Sequence, residues 1–260
     1  MSSYRIEDEA AWMCLERVRR EPNCCCWMDD AEIGKYRRGI ESAVQTTGTV
    51  FPDFKFDGGF IEHFQVTSTK ESKRKGSEYK KEMSRFDAQY KAEFEEFKEK
   101  APCGKVEIFQ KYQPEVTNSH ENLISSFKKN WDAHITSLKS NPEYLGQTSI
   151  FLVEYTVPMG LCMCEDLPSG RTSEFYRLCW DRALLEYIQE YKELVQYIVF
   201  VTSDAVEVIP TSKIYELLED LPYPFHITPL SCRFSVTQSV LYKLPMDEHI
   251  VDFKNEDIME

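Results

Sequence analysis

Residues 51–68 read Phe51-Pro52-Asp53-Phe54-Lys55-Phe56-Asp57-Gly58-Gly59-Phe60-Ile61-Glu62-His63-Phe64-Gln65-Val66-Thr67-Ser68. Two runs rich in aromatic and β-branched residues, 51–56 and 60–68, flank Asp57-Gly58-Gly59, a composition that predicts two strands joined by a tight turn. With Gly58 and Gly59 as the turn residues, Asp57 stands opposite Phe60 and Lys55 opposite Glu62. Strand residues two apart share a face, so Asp53 and Glu62 fall on one face, diagonal across the hairpin. That face is expected to be the one turned away from the main core. A three-residue turn would put them on opposite faces, because a one-residue slip reverses every side chain. Two carboxylates on one face can hold Mg2+ or Mn2+, which favour oxygen donors. A carboxylate inside an apolar strand is costly unless it is paired, so Glu62 needs a cation, a lysine or solvent.

Outward from the hairpin, Asp29-Asp30-Ala31-Glu32 carries a capping pattern, and Ile33, Tyr36, Ile40 and Val44 follow at helical spacing. An earlier helix is expected over 10–20, ending before Pro22. Downstream, Tyr79, Met83, Phe86, Tyr90, Phe94 and Phe97 mark a long helix starting near Ser77, and a strand follows over 105–112. Ile124, Phe127, Trp131, Ile135 and Leu138 mark a helix over 119–139. Then come a strand at 149–155, a loop at 158–170, a helix at 174–191 and a β-branched central strand at 195–201. A short strand at 206–209, a helix capped by Thr211 and a strand at 234–241 complete the pattern. Alternating strands and helices predict an α/β (α+β) class with a mixed sheet. The chain reads as a single domain, 1–260, with a core at about 29–245 and an acidic tail at 247–260.

The 260 residues are 42% hydrophobic, which excludes global disorder. No apolar run approaches the ~18–20 residues of a membrane helix, and the first residues lack the apolar stretch of a secretory signal. A cytoplasmic protein is expected. The nine cysteines then read as reduced thiols. Neither Cys24-Cys25-Cys26 nor Cys162-Met163-Cys164 has zinc-ligand spacing, so the cysteines are expected to hold no zinc. There is no Gly-rich phosphate loop and no serine-nucleophile elbow. A net charge of −13 repels nucleic acid at long range. Locally, however, Lys70, Lys73, Arg74, Lys75, Lys80 and Lys81 form a basic island directly after the hairpin, either a phosphate-binding segment or a solvated loop and helix start.

The Pro52-Asp53-Phe54 and Ile61-Glu62-His63-Phe64 wording on either side of a turn resembles the core of the PD-(D/E)XK nuclease superfamily. The resemblance covers 51–68 and implies a restriction-endonuclease-like fold, a mixed central sheet flanked by helices. It implies that Asp53 and Glu62 bind Mg2+ or Mn2+, joined by Glu41 from the preceding helix, with Glu32 as second candidate. The metal would activate water for attack on a phosphodiester. The superfamily's lysine belongs two residues after the glutamate, where this chain has Phe64. Either the lysine has moved, with Lys70, Lys73 or Lys75 the nearest donors, or Gln65 substitutes, or the domain no longer cuts. The implied catalytic set is Asp53, Glu62, Gln65 and Lys73, with Lys70, Lys73, Arg74 and Lys75 on the nucleic acid. His63 is a possible general base, although alternation turns it away from Glu62. The implied partners are DNA and a helicase or other defence-system protein. The expected function is a metal-dependent deoxyribonuclease. The alternative is a catalytically inactive module on the same fold that binds nucleic acid or a protein partner, and a cysteine-based metal or redox protein is a third class.

Overall fold

The Asp29 carboxylate accepts a hydrogen bond from the Glu32 amide at 2.8 Å, so the capping pattern opens a helix where the sequence places it. The computed structural model describes residues 6–25, 27–47, 51–72, 76–100, 105–112, 116–158, 160–167, 170–221, 226–229 and 234–241. In chain order the elements are α1 (Ile6–Arg20), β1 (Asn23–Cys25), α2 (Asp30–Ser42), β2 (Val44–Gln45), β3 (Phe54–Phe56) and β4 (Gly59–Val66). Then follow β5 (Glu71–Ser72), β6 (Gly76–Ser77), α3 (Glu78–Lys100), β7 (Lys105–Tyr112), α4 (His120–Ser140), β8 (Thr148–Tyr155), β9 (Leu161–Leu167) and β10 (Gly170–Phe175). The last are α5 (Arg182–Gln189), β11 (Tyr197–Val201), β12 (Val206–Pro210), α6 (Ile214–Asp220), β13 (His226–Pro229) and β14 (Phe234–Leu241).

Two compact units are distinguishable, Met1–Lys81 with Glu115–Cys232, and Glu82–Pro114 with Arg233–Glu260. The first carries a seven-stranded sheet in the order β1-β12-β11-β8-β4-β3-β2. β2, β3 and β4 form an antiparallel meander, and β4 then pairs parallel with β8, which pairs parallel with β11. A parallel neighbour requires a crossover, and α4 supplies it between β4 and β8. The class is therefore α+β with a mixed central sheet flanked by helices. In the second unit β7 pairs antiparallel with β14. Among the described residues no helix is long and apolar enough to cross a membrane.

Both faces of the sheet are covered. Leu123, Phe127, Trp131 and Ile135 of α4 lie against Phe60, Phe64, Phe151 and Val153 on one face. Cys14, Leu15 and Val18 of α1 and Tyr36 and Ile40 of α2 lie against Phe54, Ile61, Ile150 and Leu152 on the other. β4 is buried almost throughout for this reason, and its alternation sends even-numbered side chains toward α4 and odd-numbered ones toward α1.

Three expectations need correction. The segment expected as a loop at 158–170 holds β9 and the start of β10, which pair with each other, and β9 also pairs with β13. The helix expected over 174–191 is confined to Arg182–Gln189. Asp181 starts it by accepting from the Leu184 amide at 3.2 Å, and the aromatic residues before it end a strand and form a 3-10 turn. Thr211 caps no helix with its side chain; its hydroxyl donates to the Val195 carbonyl.

Candidate functional site

The hairpin register is Phe54 with Ile61, Lys55 with Phe60 and Phe56 with Gly59, which makes Asp57 and Gly58 the turn residues. Gly58 has φ +74°, a conformation that glycine adopts without strain. Gly59 is a strand residue instead; a Cβ there would meet the Thr148 carbonyl oxygen at 2.3 Å. The turn is thus one residue earlier than the sequence suggests but still two residues long. Because its length is even, Asp53 and Glu62 keep a common face. Extending the register by one step puts them directly opposite each other.

The Asp53 amide donates to Glu62 Oε2 at 3.2 Å, and the His63 amide donates to Asp53 Oδ2 at 2.7 Å. The Thr46 amide donates to the Asp53 carbonyl at 2.8 Å and holds this end of the hairpin. Glu62 Oε1 lies 2.6 Å from Nδ1 of His134, whose ring stacks on Phe64 with centroids 4.8 Å apart. Lys55 is exposed and shares this face, its ammonium 5.2 Å from the centre of the Tyr144 ring. Contrary to expectation, the face is not turned away from the main core. Glu62 is only 6% exposed, beneath α4. Burial pushes its carboxyl above the usual carboxylate range; the His134 hydrogen bond opposes this, and the Asp53 charge adds to it. Two neighbouring carboxylates, one of them buried, form an environment that a cation relieves. Mg2+ needs only one or two protein carboxylates because it retains water, so Asp53 and Glu62 suit a hard divalent ion.

The other expected site residues lie elsewhere. Glu41 is exposed on α2, the helix covering the opposite face, and it lines a surface cavity with Arg19, Tyr36 and Arg37. Glu32, also on α2, supplies the amide capped by Asp29. Lys73, Arg74 and Lys75 lie outside the described residues, as do the 247–260 tail and Cys26; Lys70 is exposed. Phe64, where the resemblance would place a lysine, makes aromatic contacts with Phe127, Trp131 and Phe151.

Gln65 follows the alternation to the α1 face, as does His63. Gln65 Nε2 donates to Glu154 Oε2 at 2.7 Å, Lys80 Nζ donates to Gln65 Oε1 at 2.6 Å, and His63 Nε2 lies 3.3 Å from Glu154 Oε2. Burial disfavours charge on Glu154, but the bonds to His63 and Gln65 prevail and hold its carboxyl below the ordinary value. Among the described residues of the basic island, Lys80 reaches β4, while Glu71 of the same segment pairs with Lys129 at 2.7 Å.

His134 went unrecognised in the sequence because it reaches Glu62 across 72 residues of chain. Lys55 carried a signal, since it stands two residues after Asp53. No family model, curated protein or solved structure matches the chain.

Proposed function

We propose that the protein is a divalent-metal-dependent nuclease that hydrolyses DNA phosphodiester bonds at Asp53 and Glu62. The observation that carries this reading is the pairing of the two carboxylates across a tight hairpin, with Lys55 on their face. With β5, β6, α3 and β7 set between β4 and α4, the order α2, β2-β3-β4, α4, β8 also supports it, matching the order of the superfamily that the sequence resembles. Asp53 and Glu62 would hold Mg2+ or Mn2+, which when bound activates water and offsets charge on the phosphate oxygens. His134 fixes the rotamer of Glu62. Lys55 offers the positive charge missing at Phe64. Lys70 and its basic neighbours in the sequence would bind the backbone phosphates.

A second reading is a non-catalytic module on the same fold. The observation favouring it is that both Glu62 oxygens already have hydrogen-bond partners in a nearly closed setting. One assay separates the two. Wild type and Glu62→Gln are incubated with single- and double-stranded DNA in Mg2+, Mn2+ or chelator. The nuclease reading expects metal-dependent cleavage that falls about 10²-fold or more in Glu62→Gln. Equal cleavage by both proteins would refute it. DNA bound but uncut by wild type would establish the second reading.

A further inference from the structure

On the face of β4 opposite Glu62, Cys14 of α1, His63 of β4 and Glu154 of β8 bring a sulfur, an imidazole nitrogen and a carboxylate oxygen within 4.8 Å of one another. We propose that these three residues form a site for a zinc-class transition-metal ion, chemically and spatially distinct from the Asp53–Glu62 pair and independent of the nuclease reading.

The donor set decides the class of ion. Thiolate and imidazole select zinc and similar borderline ions over Mg2+ or Ca2+, whereas the Asp53–Glu62 side offers hard carboxylate oxygens. Donors on a tetrahedral zinc ion lie about 3.3–3.8 Å apart, from bond lengths near 2.0–2.3 Å. His63 Nε2 and Glu154 Oε2, 3.3 Å apart, already have that separation. Charge also balances: a thiolate and a carboxylate together neutralise a dication, which suits a setting where Cys14 is 4% exposed. Binding displaces the thiol proton of Cys14 to solvent.

An outer layer is present as well. Gln65 donates to Glu154 Oε2, the oxygen that faces His63, and accepts from Lys80, so the carboxylate is oriented by a hydrogen-bonded neighbour, as metal ligands commonly are. Three protein donors leave a fourth position for water. Glu154, whose side chain is 30% exposed, is the ligand nearest solvent and sets the direction of entry. No spacing pattern announces this site, because 49 positions separate Cys14 from His63 and 91 separate His63 from Glu154.

Cobalt titration of the chelator-treated full chain tests the proposal. Cobalt reports a thiolate ligand by charge-transfer absorption and four-coordination by its visible bands. The expected result is a thiolate charge-transfer band that saturates at one equivalent, lost in Cys14→Ser and kept in Cys24→Ser and Cys162→Ser. Glu154→Gln, a near-isosteric change, should weaken cobalt binding tenfold or more, and zinc should displace the cobalt. Saturation without a thiolate band, absence of stoichiometric binding, or a band that survives Cys14→Ser would overturn the proposal. Should Cys14→Ser fail to fold, the comparison of wild type with Glu154→Gln decides, and equal affinities overturn it. Glu62→Gln should bind cobalt at this site as wild type does, which keeps the outcome separate from that of the nuclease assay.

Discussion

Glu62 and His134 meet at 2.6 Å across the β4–α4 interface, and the imidazole stacks on Phe64, two residues along the same strand. One histidine therefore satisfies a buried carboxylate and covers an aromatic ring. His134→Ala should lower stability by about 1.5–3 kcal/mol, the cost of a charge-assisted hydrogen bond whose buried partner remains. Urea unfolding at neutral pH checks this.

The raised Glu62 carboxyl gives a pH dependence of definite sign. Below the ordinary glutamate value of 4.5, both folded and unfolded chains hold the proton. Above it the unfolded chain loses the proton first, so stability attributable to this group falls as pH rises through the folded value. Wild type should therefore lose stability relative to Glu62→Gln as pH rises from 4.5 through the folded value, with the difference level above it. The difference between the two proteins isolates Glu62 from Glu207, another buried carboxyl that burial raises. Mg2+ should offset the loss in wild type alone, by about 2.7 kcal/mol at a hundredfold excess over Kd. Parallel pH profiles for the two proteins would contradict this account.

Placing a lysine at position 64, as the resemblance to PD-(D/E)XK nucleases asks, should fail. Phe64 contacts Phe127, Trp131 and Phe151, and it is 5% exposed. Phe64→Lys should cost about 3–5 kcal/mol through lost packing, with the buried charge adding to it. Lys55→Ala touches an exposed side chain and should change stability by no more than about 0.5 kcal/mol. If Lys55 is the displaced lysine, its loss should depress turnover at saturating DNA, with partial recovery in Lys55→Arg. Unchanged turnover would remove Lys55 from the site.

The two hairpin glycines should respond differently to alanine. At Gly58, with φ +74° and open space around it, the cost is the left-handed backbone alone, about 1–2 kcal/mol. At Gly59 the methyl group would collide with the Thr148 carbonyl at 2.3 Å, a backbone atom held in the sheet. Gly59→Ala should therefore be the more damaging, at about 3 kcal/mol or more. Thermal unfolding of the two variants gives the ranking.

Where local chemistry specifies structure, the sequence was legible. The Asp29 cap, the apolar stripe of α4 and the shared face of Asp53 and Glu62 all follow from residue type and spacing. The turn position did not follow, because Gly59 serves a close approach to β8 and not a left-handed turn. The burial of Glu62 also escaped, since covering both faces of β4 is a property of the assembled helices. His134, Cys14 and Glu154 meet their partners through tertiary contacts alone, and no short window of sequence holds both ends of such a contact.

β4 is hydrogen-bonded to β3 on one side and to β8 on the other, and Glu62 and His63 share one of its peptide bonds. The two donor sets thus have a common rigid mount while facing opposite compartments of the protein. The amides of β4 should be among the last to exchange with solvent, opening only when the whole sheet does.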